Sequence, residues 1–200
     1  MSDDWYSYNQ IDKYKCQYNV IFGKRSNGKT YGGIEKVIRN FWEKGKQGAY
    51  IRRYRDDFKG KRGDTICDGI VKNGVIKELT DGKYDSVKFT SDRWYLGKYD
   101  FDTGKIKPME IPFMYGFALT QMEHDKSTSY PDVTTVIFDE FLSRVGYLQD
   151  EFMLFMNVIS TIVRQRDDVT IYMLGNTVNK YCPYFTEMGL KHIRSEEHTS

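Results

Sequence analysis

Histidine and cysteine are scarce in this 200-residue chain, with three of each. Cys16, Cys67 and Cys182 are odd in number and widely spaced, with no C-x-x-C pair. Neither a disulfide framework nor a His/Cys zinc site is therefore expected, and reduced structural thiols suit an intracellular compartment. A dominant sign of charge is missing as well. Thirty Lys and Arg against 28 Asp and Glu leave a net charge of +2, so no global basic field announces nucleic acid and any such surface must be local. No apolar run approaches the length of about 20 residues that spans a membrane. The acidic, polar start Met1-Ser2-Asp3-Asp4-Trp5 does not read as a signal peptide. Internal repeats and low-complexity tracts are absent. The chain reads as soluble and intracellular.

What is present is globular: 40% hydrophobic and 29% charged residues, with 16 Tyr and 12 Phe. The length suits one domain, or one domain with a small insertion. Its organising stretch is Gly23-Lys24-Arg25-Ser26-Asn27-Gly28-Lys29-Thr30, which fits G-x-x-x-x-G-K-[ST]. Tyr18 to Phe22 reads as a short buried strand leading in. Thr30 to Trp42 reads as a helix leading out, with Ile34, Val37, Ile38 and Phe41 on one face. Glycines at 23 and 28 let the backbone turn tightly and approach phosphate oxygens. Loop N–H groups and the helix N-terminus then form an anion site, Lys29 reaches the β- and γ-phosphates of ATP, and Thr30 ligates Mg²⁺.

Residues 1–16 interleave Trp5, Tyr6, Tyr8 and Tyr14 with polar residues. They are expected to form an arm packed on the sheet, one of whose aromatics has the alternative of stacking on adenine. A second strand, Ala49 to Arg52, runs into the densest basic segment, six Lys or Arg among residues 52–63. Arg53, Arg55, Lys59, Lys61 and Arg62, with aromatics between them, are candidate DNA-phosphate contacts; a solvated face with Arg–Asp pairs is the alternative. From 64 to 112, short β-branched runs (Val75–Lys77, Ser86–Thr90, Arg93–Leu96, Ile106–Met109) alternate with Asn-Gly, Asp-Gly and Thr-Gly turns, which predicts an antiparallel β insertion. A core strand is expected within Phe113–Thr120 and a loop over Glu123–Pro131.

Val133 to Phe138 is a continuous apolar run, as a strand buried on both faces should be, and it ends in Asp139-Glu140. Downstream of a phosphate loop this is the Walker B arrangement: Asp139 holds the Mg²⁺ shell and Glu140 polarises a water for attack on the γ-phosphate. A helix is expected from Gln149 to Arg166 and a further strand from Val169 to Leu174, closed by Gly175-Asn176-Thr177. Asn176 is placed to sense the γ-phosphate or to position the water, an ordinary strand-terminal turn being the alternative. Arg166, and next Arg164, can point from one subunit at a neighbour's nucleotide as a finger, the alternative being a helix cap; Arg25 can act in cis instead. Tyr181 to Met188 is a short aromatic segment, and residues 195–200 read as a disordered or non-native tail.

The order of jobs along the strands (phosphate loop, bare, Walker B, polar sensor) resembles the additional-strand, catalytic-Glu (ASCE) class of P-loop NTPases. That is an α/β fold with a mostly parallel central sheet flanked by helices. Together, G-K-R-S-N-G-K-T, Y-I-R-R-Y-R-D-D-F-K-G-K-R, V-I-F-D-E-F, V-R-Q-R-D-D and M-L-G-N-T resemble the genome-packaging ATPases of phi29-like tailed phages. The resemblance implies a homopentameric ring on the procapsid portal, in the host cytoplasm, that drives double-stranded DNA inward with ATP, with packaging RNA a further partner. It matches Lys29 and Thr30 to Walker A and Asp139 and Glu140 to Walker B. It matches Arg166 or Arg164 to the trans-acting finger and Lys126 to a second trans-acting cation, and sets Lys59, Lys61 and Arg62 where pore-facing DNA contacts lie. Residues 1–194 correspond to the ATPase domain, with 64–112 inserted in it. The nuclease-like C-terminal domain of that family is absent from this sequence. Another ASCE-class motor, or a nucleotide-gated DNA-binding module without turnover, remains the alternative.

Overall fold

Strands rich in β-branched and aromatic residues alternate with amphipathic helices along the chain. The computed structural model describes residues 8–24, 28–121, 127–176 and 182–190. Its strands are Tyr18–Gly23 (β1), Gln47–Arg52 (β2), Ser86–Thr90 (β3), Arg93–Asp100 (β4), Lys105–Pro108 (β5), Met114–Ala118 (β6), Val133–Asp139 (β7) and Thr170–Asn176 (β8). The helices are Tyr8–Asp12 (α1), Lys29–Lys44 (α2), Arg62–Thr65 (α3), Asp68–Lys72 (α4), Val75–Leu79 (α5), Glu151–Val163 (α6) and Pro183–Glu187 (α7). One sheet runs in the order β1-β8-β7-β2-β6-β4-β3, with β5 also paired to β4. Its first five strands are mutually parallel, and β4 is antiparallel to β6, β3 and β5.

The central strands β7 and β8 are buried on both faces, which explains the apolar runs Val136–Phe138 and Ile171–Leu174. Val136 and Phe138 of β7 point into a core with Phe155, Ile159 and Tyr184 of α6 and α7. Ile137 points the other way, into a core with Ile34, Val37 and Ile38 of α2. The α2 stripe is the one its sequence spacing predicts. At its C-terminus the Gly45 N–H closes back on Phe41 O. Of the N-terminal arm, residues 1–7 with Trp5 and Tyr6 lie outside the described residues; Tyr8 is buried and meets Tyr172 of β8 edge-on, with ring centroids 5.0 Å apart, whereas Tyr14 is exposed.

Three expectations change. Val75–Lys77 is not a strand but lies in α5, because Val75, Ile76 and Leu79 recur at three- and four-residue spacing and Ile76 is fully buried. The first half of the 64–112 insertion is thus helical. Its second half extends the central sheet, since Trp94 of β4 pairs with Met114 of β6. The long helix stops at Val163 rather than Arg166, where Arg164 and Gln165 take left-handed φ values of 44° and 66°. Gly175 and Asn176 belong to β8 itself, paired with Phe22 and Gly23 of β1, instead of forming a turn.

Candidate nucleotide site

The C-terminal ends of the parallel strands converge on one edge of the sheet, where open α/β folds bind ligands. β1 ends at Gly23 and α2 starts at Lys29; Gly28 between them adopts φ 80°, a left-handed conformation suited to glycine. Arg25, Ser26 and Asn27 lie outside the described residues. The Lys29 side chain is buried and curls back over its own loop, Nζ donating to Lys24 O at 2.9 Å and Gly23 O at 3.4 Å. It also donates to Asn176 Oδ1 at 3.5 Å. Burial lowers the Lys29 pKa, and the nearby Asp139 carboxylate partly counters this. Asn176 is therefore beside the loop that joins β1 to α2, paired in register with Gly23.

Asp139, at the end of β7, collects three donors. Its Oδ2 accepts from Thr30 Oγ1 at 3.0 Å and from Tyr50 OH at 2.6 Å, and its Oδ1 accepts from the Glu140 N–H at 3.0 Å. The Thr30 hydroxyl and the Asp139 carboxylate are hard oxygen donors, and they fit Mg²⁺, which keeps several waters and takes one or two protein oxygens. Among the described residues no group of three or more His, Cys, Asp or Glu offers an all-protein metal cage.

Glu140 leaves the strand in a left-handed conformation, φ 54°, with its side chain half exposed. Its Oε2 sits 3.0 Å from Arg52 Nη2. Arg52 also lies 3.8 Å from Asp139 and 3.5 Å from Asp57. Burial disfavours the Arg52 charge, but Tyr50 and these three carboxylates outweigh it and raise the pKa. A cavity of about 310 Å³ opens here, lined among others by Arg52, Asp139, Glu140, Arg144 and Asn176. Tyr50, Arg52 and Arg144 were missed in the sequence. The signal for Arg52 was present: two arginines stand at and just past the end of β2, and two carboxylates at and just past the end of β7.

The basic segment divides. Arg53 is buried against the carboxylate of Glu151, which its Nη2 reaches at 2.9 Å, and so is not a DNA contact. Arg55 is half-exposed and paired with Asp92. Lys59, Lys61 and Arg62 are exposed, Lys59 near Asp56 at 2.5 Å and Arg62 donating to Asp56 O at 2.9 Å. Arg166 is not a free finger either. Its guanidinium donates to the carbonyls of Tyr130, Pro131, Val133 and Ile162 and to Asp168, at 2.8 to 3.1 Å. Arg164 is more exposed and donates to Thr128 O at 2.8 Å. Lys126 lies outside the described residues.

The model of the podovirus DNA encapsidation protein (Gp16) family matches residues 2–193. The chain belongs to that family. It is 31% identical over 175 residues to the DNA packaging protein of Bacillus phage B103, an alignment covering 86% of this chain and 48% of that protein. It is 28% identical over 184 residues to the DNA packaging protein of Bacillus phage phi29, covering 90% and 49%. The chain thus spans about half the length of these relatives. The mixed α/β fold with its mostly parallel sheet matches phage ATPase domains. Against the crystal structure of the N-terminal domain of the DNA packaging ATPase from bacteriophage phi29 the TM-score is 0.72 at 26% identity, covering 93% of this chain and 86% of that one. A fold likeness extends to the large terminase ATPase domain of Thermus phage P74-26, with a TM-score of 0.56 at 18% identity. Among the described residues, no helix is long and apolar enough to cross a membrane.

Proposed function

We propose that this chain is the ATPase part of a phage DNA-packaging motor, hydrolysing Mg·ATP to move double-stranded DNA. The observation that carries the proposal is the meeting of Lys29, Thr30, Asp139, Glu140 and Asn176 at one sheet edge, where Lys29 bonds Asn176 and Asp139 bonds both the Thr30 hydroxyl and the Glu140 N–H. The position of β8 between β1 and β7 supports assignment to the ASCE class of P-loop NTPases. Lys29 exchanges its bonds to the Gly23 and Lys24 carbonyls for β- and γ-phosphate oxygens. Thr30 and Asp139 would hold Mg²⁺, which when bound neutralises charge on those oxygens. Glu140 orients and polarises the attacking water once its carboxylate leaves Arg52, and Asn176 contacts the γ-phosphate side of the site.

Arg164 acts in trans. It lies at the end of α6, before β8, whose seven residues Thr170–Asn176 rise about 20 Å towards the edge that holds Asn176, which favours a target other than its own nucleotide. A neighbour's nucleotide in a homo-oligomeric ring is the target assigned to it, with the pentamer on the procapsid portal as the resemblance implies. Lys59, Lys61 and Arg62 meet DNA phosphates without reading sequence. The test is Glu140→Gln. It should keep ATP affinity while abolishing turnover, assayed on purified chain with a fluorescent ATP analogue and phosphate release; turnover that persists in this variant contradicts the proposal.

A further inference from the structure

Arg53 is buried in the chain, yet it carries a full charge one residue past the end of β2. Buried ion pairs contribute little net stability, because desolvation offsets their attraction, so the role of such a pair is better sought in the geometry it enforces. From its contacts we infer that Arg53 is a positioning residue for Glu140, an inference that rests on the hydrolytic role proposed for that glutamate. Arg53 Nη1 donates to Glu140 O at 3.2 Å and Nη2 donates to Phe141 O at 2.8 Å. These carbonyls belong to the turn in which Glu140 adopts φ 54°, a conformation that persists in a non-glycine residue only where the surroundings hold it.

The clamp is itself held. The guanidinium forks onto both oxygens of Glu151, a side chain with no exposed surface. Glu151 Oε1 also accepts from the Leu148 N–H at 3.0 Å, and Oε2 from Tyr184 OH at 2.6 Å. The Tyr147 ring lies beneath the guanidinium, 5.2 Å away at its centroid. The adjacent arginines thus divide the work: Arg52 meets the Glu140 carboxylate, and Arg53 fixes the backbone that carries it. Lysine cannot replace the second, because a single ammonium lacks the planar fork that reaches two carbonyls and a carboxylate together.

The test compares the wild-type chain with Arg53→Lys and with the double variant Arg53→Met/Glu151→Leu, which removes both buried charges together. Thermal unfolding checks the fold, an ATP analogue gives affinity, and steady-state kinetics separate kcat from KM. Folded variants should keep affinity and KM within about twofold and lose at least about tenfold in kcat, as misplacement of a catalytic group does. Amide exchange at Phe141, whose N–H donates to Leu174 O at 3.1 Å, reads the same turn without turnover and should accelerate in both variants. Should the double variant not fold, Arg53→Lys decides by the same measurements. Unchanged kcat with unchanged Phe141 exchange in a folded variant overturns the inference. A wild type that binds ATP but never hydrolyses it overturns the hydrolytic role instead, and the exchange rate then still judges whether Arg53 fixes this backbone.

Discussion

Arg164 and Arg166, two residues apart, differ in exposure, and Arg166 bonds four carbonyls besides Asp168, so their variants should part accordingly. Arg166→Ala removes one donor each from the carbonyls of Tyr130, Val133 and Ile162, of which Tyr130 O keeps the Val133 N–H, at a cost of about 1–3 kcal/mol in stability, read as a lower denaturation midpoint. Arg164→Ala should leave that midpoint near wild type and remove hydrolysis, and mixing it with wild-type chain should depress activity non-linearly. The reverse pattern would return the finger to Arg166. Buried phenols give a second prediction at this scale. Tyr50, Tyr172 and Tyr184 donate to Asp139, Asp12 and Glu151, and burial first, then the neighbouring carboxylate, raises each pKa above its ordinary value. The folded state therefore keeps protons that the unfolded chain loses above pH about 10. Stability should be level up to pH about 9 and fall as pH rises past 10; a denaturation midpoint unchanged at pH 11 would contradict this.

At the level of elements, β4 joins the insertion to the sheet through Trp94. That side chain is fully buried, donates from Nε1 to Gly63 O at 2.7 Å, and packs on Tyr50, Phe58 and Phe89. Trp94→Ala should cost about 3–5 kcal/mol in a denaturant titration, since it empties a site walled by aromatics and leaves a carbonyl unpaired. A loss under 1 kcal/mol would mean that β3, β4 and β5 form an appendage independent of the core. Local signals made β1, α2 and β7 legible in the sequence, because a glycine loop, an apolar stripe and an unbroken apolar run each depend on near neighbours. The helix α5 was misread because Val75 and Ile76 suit a strand as well as a helix, and the burial of Ile76 beneath α2 decides between them. Arg53 was misread for a related reason. Its partner Glu151 lies 98 positions later, and composition cannot distinguish an arginine turned inward from one turned outward.

For the molecule as a whole, the sheet order gathers Lys29, Thr30, Asp139 and Asn176 at one edge, the proposed site of hydrolysis, while Lys59, Lys61 and Arg62 are exposed in the segment after β2. Coupling between the two is the central claim. It is tested most directly by the ATP hydrolysis rate of the purified chain with and without double-stranded DNA of unrelated sequences. The account predicts hydrolysis that DNA stimulates regardless of sequence, with stimulation that weakens as salt rises because phosphate contacts are screened. Hydrolysis of the same rate with and without DNA, across that salt range, would contradict it.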